Sequence, residues 1–309
     1  MPRILVTPRS LTATPHPAVE ALRQRGYDVV YCQAGHMPDE NELIGLVPGI
    51  AGWLAGVEPV TPAVIAAAGD LRVISRNGVG VDNLPLPLLA ERGIAVRIAQ
   101  GANSPGVAEL AIGLMLAALR HIPQADSGIK RGQWPRQIGR EIRGRKIGVV
   151  GCGAIGSEVA RLCHALGAQP LVYDAVSNLA ARLSFARAVS FATLIAESDV
   201  ITLHCPASAS GAALIGHQEF QAMQPGTVLV NTARASLVDA AALRLALDAG
   251  QIASYAVDVF SEEPPRDLSL ASDPRVIATS HIGGYTEESV DRSTTIALAN
   301  LLDVLEAPN

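Results

Sequence analysis

The fold is decided by the stretch KIGVVGCGAIGSEVARLCHALG, residues 146–167. An apolar segment leads into a glycine-rich turn and then a helical pattern, so that Gly151, Gly153 and Gly156 form the spacing G-x-G-x-x-G. At these positions glycine allows a tight turn, a close approach of a pyrophosphate to the backbone and close packing of helix on strand. The helix N-terminus adds N–H groups and a partial positive charge. The stretch therefore predicts a dinucleotide-binding βα unit.

The next apolar segment, QPLVYD, ends at Asp174, 18 residues beyond Gly156. A carboxylate at this position accepts hydrogen bonds from the ribose hydroxyls and repels a 2′-phosphate. The next arginine, Arg182, lies eight residues further along the chain. NAD is therefore predicted in preference to NADP, with a surface carboxylate as the alternative interpretation of Asp174.

Strand and helix patterns alternate on both sides of this unit, which predicts an α/β fold with doubly wound parallel sheets. One helix, from about residue 104, is apolar nearly all round and should be buried, and a polar stretch around Trp134 is typical of an extended arm. A last helix is predicted over residues 286–306. Strands are predicted over residues 3–7, 27–32, 50–56, 71–76, 94–99, 227–234, 253–260 and 275–284.

Composition limits the classes of function. The 309 residues suffice for two domains, and 49% hydrophobic against 17% charged residues favours a compact folded protein. A net charge of -5 disfavours nucleic acid and membranes as partners. The four cysteines lack the spacing of a metal site, so no metal is predicted. No signal peptide or membrane-length apolar run is recognised, which favours the cytoplasm.

Three later segments place charged groups after apolar strand patterns. NTAR contributes Arg234, DVFSEEPP contributes Glu262 and Glu263, and SHIGG contributes His281. The carboxyl ends of parallel strands share one sheet edge, where ligands bind in open α/β folds. Arginine can bind a substrate carboxylate, protonated histidine can donate to a carbonyl oxygen, and a carboxylate can orient the imidazole. Beside a nicotinamide, this set predicts reduction of a 2-oxo acid.

The order G-x-G-x-x-G, NTAR, DVFxxEP and HIGG resembles the D-isomer-specific 2-hydroxyacid dehydrogenase family, most closely its D-3-phosphoglycerate dehydrogenase branch. RNGVGVDN (76–83) and NSPGVAEL (103–110) also resemble that family, so the resemblance spans essentially the whole chain. It implies two Rossmann-like domains, with the cofactor domain inserted into the substrate domain and the active site in the cleft. The substrate domain would comprise residues 1–98 and 285–309, and the NAD-binding Rossmann domain residues 99–284.

The resemblance also assigns site residues. The acid immediately before the proline is Glu263, which leaves Glu262 as a solvated neighbour because adjacent side chains of an extended segment diverge. The catalytic residues would be Arg234, Glu263 and His281. The substrate carboxylate would be held by the loop of Asn77, Gly78, Val79 and Gly80. The cofactor would be held by Val107, Gly151, Gly153, Ala154, Ile155, Gly156, Asp174, His204, Cys205, Pro206, Thr232, Ala233, Asp258, Gly283 and Gly284.

Several of these assignments have a plainer alternative. His204 is equally well explained as a strand-end histidine, and tight packing alone would account for Gly283 and Gly284. Two further arginines, Arg76 and Arg9, lie at the carboxyl ends of predicted strands of the first domain and suggest a second anion on the substrate, such as a phosphate. The alternative is that both arginines are solvated or pair with nearby acids.

The predicted function is an NAD-dependent D-2-hydroxyacid dehydrogenase, similar to D-3-phosphoglycerate dehydrogenase, that acts on a small 2-oxo or 2-hydroxy acid. A hydroxypyruvate or glyoxylate reductase is the alternative enzyme. An NAD(H)-sensing binding protein, similar to the related transcriptional corepressors, is the alternative from another class. The resemblance further implies a homodimer formed through the cofactor domain.

Overall fold

The computed structural model describes residues 1–14, 16–176, 178, 182–208 and 210–307. The chain divides into two compact units, the first made of Met1–Asn103 with Gly284–Asn309 and the second of Ser104–Gly283. Each unit contains one parallel sheet, and helices connect most of the successive strands in the described residues. The predicted fold class, two parallel-sheet α/β domains of which one is inserted into the other, is confirmed.

The first unit is built on five parallel strands: β1 (Arg3–Val6), β2 (Asp28–Tyr31), β3 (Ile50–Ala55), β4 (Val73–Arg76) and β5 (Ala95–Ile98). Their order in the sheet is β2-β1-β3-β4-β5. The helices between them are α1 (Arg9–Ala13), α2 (Pro17–Gln24), α3 (Glu40–Leu46), α4 (Pro62–Ala67) and α5 (Leu86–Glu91). A capping side chain fixes where α4 begins, because Thr61 accepts a hydrogen bond from Val64 N.

A C-terminal helix, Glu287–Leu305, completes the core of the first unit. Ser75 Oγ on β4 donates to Ala297 O at 2.7 Å. Over β3, a Cβ added at Gly52 would lie 3.0 Å from Leu305 Cδ1, so glycine lets this helix approach the sheet closely. The helix, predicted over residues 286–306, is thus a layer of the first unit although it follows the second in sequence.

The second unit contains seven parallel strands: β6 (Lys146–Val150), β7 (Gln169–Tyr173), β8 (Arg187–Ala188), β9 (Val200–Leu203), β10 (Thr227–Asn231), β11 (Ile252–Val257) and β12 (Val276–Ala278). The sheet order β12-β11-β10-β9-β6-β7-β8 reverses direction between β6 and β9. At such a reversal the loops after neighbouring strands diverge, which opens a crevice at the carboxyl edge of the sheet. Within the described residues, the helices of this unit are α6 (Ser104–Leu119), α7 (Ile122–Lys130), α8 (Ala154–Ala165), α9 (Phe191–Glu197), α10 (His217–Ala222) and α11 (Ala240–Asp248).

The apolar helix α6 is buried within the second unit. Ala108, Ala111 and Met115 are fully buried in one core cluster with strand residues such as Val149. After α7, residues 133–141 form neither helix nor strand, and Trp134 is 80% exposed, as an extended arm would be. In the described part of the chain no single helix is long and apolar enough to cross a membrane; only α6 and α7 taken together, bent by 66°, have that length and composition.

Three predicted strands are shorter in the structure than in the prediction. The strands predicted over residues 227–234, 253–260 and 275–284 end at Asn231, Val257 and Ala278. Polar side chains at or beyond the strand ends form hydrogen bonds with the backbone. For example, Asn231 Oδ1 accepts from Ala233 N at 3.0 Å. These bonds replace the sheet ladder. The charged groups of interest therefore lie in ordered loops at the carboxyl edge and not on the strands.

Candidate active site

The glycine turn between β6 and α8 has no room for side chains at two of its three glycines. Gly151 has a φ of 91°, and a Cβ there would lie 2.7 Å from His204 O. A Cβ at Gly156 would overlap Gly151 O. At Gly153, by contrast, a Cβ would meet nothing within 4 Å, so open space lies in front of the backbone. Gly153 caps α8, whose first residues Ala154 and Ile155 supply the N–H groups suited to a pyrophosphate.

Asp174 lies directly after β7 and beside this turn. Its Oδ2 accepts from Cys152 N at 2.6 Å, and its Oδ1 accepts from Val176 N at 2.8 Å. The carboxylate is thereby fixed beside the glycine turn. Each carboxylate oxygen has two lone pairs, so both can also accept a ribose hydroxyl.

His204 follows β9 on the other side of the turn. Its Nε2 makes a 2.8 Å hydrogen bond with Thr202 Oγ1, and desolvation lowers the pKa of the imidazole to about 3. His204 is therefore neutral at physiological pH, and its main chain packs against Gly151. The next two residues, Cys205 and Pro206, continue the loop; burial raises the pKa of the Cys205 thiol, and Pro206 is exposed.

The loop after β10 carries Thr232, Ala233 and Arg234. Asn231 fixes this loop, because its Nδ2 donates to Arg234 O at 2.9 Å while its Oδ1 accepts from Ala233 N. Arg234 is half-buried, and its Nη1 donates to Ala233 O at 2.8 Å. Thr232 Oγ1 is buried and has no hydrogen-bond partner among the described residues. A buried hydroxyl without a partner is costly, so Thr232 is a natural contact for a bound ligand.

Glu263 and His281 form the closest acid–base pair of the site. His281 Nδ1 and Glu263 Oε2 are 2.7 Å apart, and 48% and 37% of the two side chains remain exposed. The hydrogen bond that His281 donates to Glu263 raises the pKa of His281, against the opposing effect of burial. Burial raises the pKa of Glu263, but hydrogen bonds from His281 and Phe260 N outweigh it and the net pKa is lowered. The two shifts together favour a charged imidazolium–carboxylate pair.

The neighbouring acid, Glu262, has a different surrounding. Its Oε1 lies 2.7 Å from Arg266 Nε, and both side chains are largely exposed. An exposed ion pair of this kind contributes little to stability. The structure therefore separates the two adjacent glutamates, since Glu263 contacts the histidine and Glu262 an arginine in solvent.

Asp258 holds the loop that carries His281. Its Oδ1 accepts from Thr279 Oγ1 at 2.6 Å and from Ile282 N at 2.9 Å, and its Oδ2 accepts from Gly283 N at 2.8 Å. His281 has a φ of 54°, a left-handed conformation that is uncommon for residues other than glycine. The buried Asp258 offsets the cost of that conformation by anchoring the next two N–H groups. The resemblance implies a direct cofactor contact for Asp258; the structure shows this positioning role.

Tight packing accounts for both glycines after His281. A Cβ at Gly283 would lie 3.1 Å from Asp258 Oδ2 and 3.3 Å from Val107 Cγ2, which places Val107 of α6 beside this loop. In the first unit, a Cβ at Gly284 would lie 3.1 Å from Asn103 Nδ2. Even a methyl group at either position would therefore displace its neighbours.

The predicted substrate loop, residues 76–80, belongs to the first unit. Arg76 is 5% exposed, and it donates from Nε to Gly80 O at 2.7 Å and from Nη1 to Ala55 O at 3.2 Å. The loop backbone is also tied to its neighbours, through Asn77 N to Ala55 O and Ala99 N to Gly78 O, both at 2.9 Å. Asn77 Oδ1 is buried without a partner among the described residues, and Val79 is partly exposed. Arg76 thus organises the loop from within.

The structure brings the predicted residues of the second unit to the carboxyl edge of a single sheet. Arg234, Glu263, His281 and Asp258 influence one another there through hydrogen bonds or charge. The sequence motifs do not predict the anchoring roles of Asn231 and Thr279. For Asn231, the sequence feature that could have indicated its role is a polar residue at the end of a buried apolar strand. Among the described residues, no group of three or more His, Cys, Asp or Glu side chains is placed to hold a metal ion.

Comparisons with known proteins show which proteins this chain resembles. Residues 112–283 match the family described as D-isomer specific 2-hydroxyacid dehydrogenase, NAD binding domain. A D-3-phosphoglycerate dehydrogenase from Archaeoglobus fulgidus is 42% identical over 277 residues, which cover 88% of this chain and 52% of that protein. A hydroxypyruvate reductase from Thermotoga maritima is 36% identical over 261 residues, which cover 82% and 84% of the two chains.

The TT0316 protein from Thermus thermophilus has a similar solved structure, with a TM-score of 0.89, 32% identity, and coverage of 98% of this chain and 97% of that one. The present chain spans about half the length of the D-3-phosphoglycerate dehydrogenases that it matches.

Proposed function

The chain belongs to the D-isomer-specific 2-hydroxyacid dehydrogenase family, and on that premise we propose that it is an NAD-dependent dehydrogenase interconverting a 2-oxo acid and a D-2-hydroxy acid. The observation that carries the proposal is the 2.7 Å contact between His281 Nδ1 and Glu263 Oε2, with Arg234 close enough for its charge to affect both groups. This is the set of groups that carbonyl reduction in a 2-oxo acid requires.

His281 is the proton donor in the direction of reduction. Its Nδ1 is engaged by Glu263, so Nε2 is the ring nitrogen that can donate to the carbonyl oxygen as that oxygen gains negative charge. Glu263 fixes the ring orientation and raises the pKa of His281, which keeps the donor protonated. In the reverse direction the same imidazole, once neutral, accepts the hydroxyl proton.

Arg234 orients the substrate. Its guanidinium can bind the carboxylate next to the reacting carbon through two parallel hydrogen bonds, and Asn231 fixes the main chain that carries it. Binding in a fixed orientation accounts for a large part of such catalysis, because the reacting atoms no longer have to find each other.

The residues of the second unit fit NAD. Gly153 faces open space at the start of α8, Asp174 lies beside the turn, and the buried Thr232 hydroxyl has no partner among the described residues. When bound, the cofactor supplies or accepts the hydride. The chain's own contribution is to hold the pyrophosphate at the helix N-terminus, to bind the ribose hydroxyls through Asp174 and to place Thr232 and Val107 at the predicted nicotinamide position.

Relatives named D-3-phosphoglycerate dehydrogenase and hydroxypyruvate reductase suggest a small 2-oxo acid as substrate, either phosphorylated or not. A cytoplasmic homodimer also remains part of the proposal. The exposed side chains of Trp134 and Ile138, on a segment without helix or strand, favour an intersubunit contact there.

The direct test is turnover. Oxidation of NADH by the purified chain should be measured with a panel of 2-oxo acids, and the chirality of the product should be determined. We expect turnover with at least one 2-oxo acid and a D-2-hydroxy acid as product. NADH binding without turnover of any member would contradict the enzyme and favour an NAD(H)-sensing protein.

A further inference from the structure

The amide of Asn231 has a third hydrogen bond, to a residue outside the loop that it anchors. Asn231 is fully buried at the end of β10. Its Nδ2 donates to Arg234 O at 2.9 Å and to the hydroxyl of Tyr255 at 3.4 Å, and its Oδ1 accepts from Ala233 N at 3.0 Å. Both hydrogens of the amide nitrogen therefore have an acceptor.

The two backbone partners decide which way this amide faces. A backbone N–H can only donate and a backbone carbonyl oxygen can only accept, so Oδ1 faces Ala233 N and Nδ2 faces Arg234 O. The hydroxyl of Tyr255 consequently acts as the acceptor of the second Nδ2 hydrogen. Burial raises the pKa of Tyr255 to about 12, so the hydroxyl is uncharged and keeps its own hydrogen.

Tyr255 reaches the amide from the neighbouring strand. On β11 it is paired with Leu229 of β10, two residues before Asn231. Alternate residues of a strand face the same side of the sheet, and side chains lean along the strand, so the ring can extend from the level of Leu229 to that of Asn231. Tyr255 is 4% exposed and belongs to the same apolar core as Leu229 and Val257. A closely packed ring thus holds the hydroxyl in place.

The bond to Tyr255 differs from the other two bonds in what it connects. Ala233 and Arg234 belong to the same short segment as Asn231, so their bonds hold this segment together without fixing its direction relative to the sheet. The bond to Tyr255 ties the Asn231 side chain to a second strand. It therefore fixes the direction of the segment, and with it the direction in which Arg234 leaves the main chain.

We propose that Tyr255 is a positioning residue for the reaction: its hydroxyl holds the amide of Asn231, and through it Arg234, in the orientation that binds the substrate carboxylate. The inference rests on the proposed function, in which Arg234 binds that carboxylate. Arg234 makes this contact both in the bound substrate and in the transition state. Loss of the hydroxyl should therefore weaken substrate binding without slowing the chemical step.

The test is Tyr255→Phe, which removes one oxygen atom and keeps the ring. At saturating NADH, we expect the KM of the 2-oxo acid to rise by about three- to tenfold, because one buried hydrogen bond is lost. The Kd of oxamate, an unreactive mimic of a 2-oxo acid, should rise by the same factor. Neither kcat nor the Kd of NADH should change. Unchanged oxamate affinity, or an equal loss of NADH affinity, would overturn the assignment.

Ile252→Val on the same strand is the matched control. Ile252 is 1% exposed in the same apolar core, but it lies at the opposite end of β11 from the Arg234 segment. Removing one methylene group there should lower the melting temperature and leave the oxamate Kd unchanged. An equal rise of the oxamate Kd in Ile252→Val would show that Tyr255→Phe acts through a general loss of stability, and the positioning role would be wrong.

A double mutant tests whether Tyr255 acts through Arg234. Once Arg234→Ala has removed the positioned group, adding Tyr255→Phe should leave kcat/KM for the 2-oxo acid where Arg234→Ala alone puts it. A further three- to tenfold fall would mean that Tyr255 acts by another route, against the proposal. A wild type that turns over no 2-oxo acid and does not bind oxamate would instead contradict the proposed function itself.

Discussion

The two units place the same residue types, arginine and glutamate, at the carboxyl ends of their strands, but in opposite environments. In the second unit, Glu263 and its partner His281 keep more than a third of their side chains exposed. In the first unit, Glu58 and Arg76 are almost completely buried, and Arg76 donates from Nε and Nη1 to main-chain carbonyls. Glu263 and His281 are therefore accessible to a ligand, whereas the buried Arg76 stabilises a loop.

The difference shows that position at a sheet edge does not identify a working residue by itself. Burial and the direction of the hydrogen bonds decide whether a charge acts on a ligand or on the fold. The expected effects of mutation differ accordingly: changes in the second unit should reduce activity with little loss of stability, and changes in the first should reduce stability.

The largest effect is expected at His281. His281→Asn removes the proton donor and keeps a residue that tolerates the left-handed backbone, so kcat should fall by roughly 10²- to 10⁴-fold. Because the side chain is about half exposed, the melting temperature should change little. Steady-state kinetics and thermal unfolding check the two halves of this prediction, and wild-type turnover in the variant would contradict it.

Arg76→Ala should show the opposite pattern. Arg76 is 5% exposed and donates to Gly80 O and Ala55 O, so its removal leaves these carbonyl oxygens without their partner and costs about 1–3 kcal/mol for each. A clear fall in melting temperature is therefore expected. Arg234→Ala is the matched change in the second unit and should raise KM with little loss of stability. An Arg76→Ala protein of wild-type stability would remove the contrast between the two units.

A smaller effect is expected at Asp174. Asp174→Ala removes the acceptor for the ribose hydroxyls and the repulsion of a 2′-phosphate, so the preference for NADH over NADPH should narrow by about tenfold or more. Glu158→Gln on α8, which loses only a pair with Arg161 one turn along the same helix, is a suitable control. The measurement is the ratio of kcat/KM for the two cofactors, and a wild type that uses both equally would refute the role of Asp174.

Much of the fold follows from the sequence because buried parallel strands are apolar runs interrupted by turn residues. The C-terminal helix and the β6–α8 unit are examples. Short helices such as α3 are harder to predict, since ENELIGL carries only a weak apolar face, although Asp39 caps it by accepting from Glu42 N. The ends of β10, β11 and β12 depend on side chain–backbone bonds that a hydrophobic pattern does not contain.

For the site, motif order places residues at the right edge of a sheet but does not give their surroundings. Nothing in SHIGG indicates that His281 is left-handed or that Asp258 anchors the loop, since both depend on contacts more than 20 residues apart in sequence. The buried Arg76 donates to Gly80 O and Ala55 O, and no motif indicates these bonds. The roles of the site residues stay predictions until they are measured.

The most direct test of the account is the pH dependence of kcat/KM for 2-oxo acid reduction in the wild type, Glu263→Gln and Glu262→Gln. The proton donor must be protonated, so the rate should be high below the pKa of His281 and fall above it. Glu263 raises that pKa, so Glu263→Gln should move the falling limb to lower pH, whereas Glu262→Gln, which only loses an exposed pair with Arg266, should leave it in place. An unmoved limb in Glu263→Gln, or an equal shift in both variants, would contradict the assignment of Glu263 and His281 as the catalytic pair.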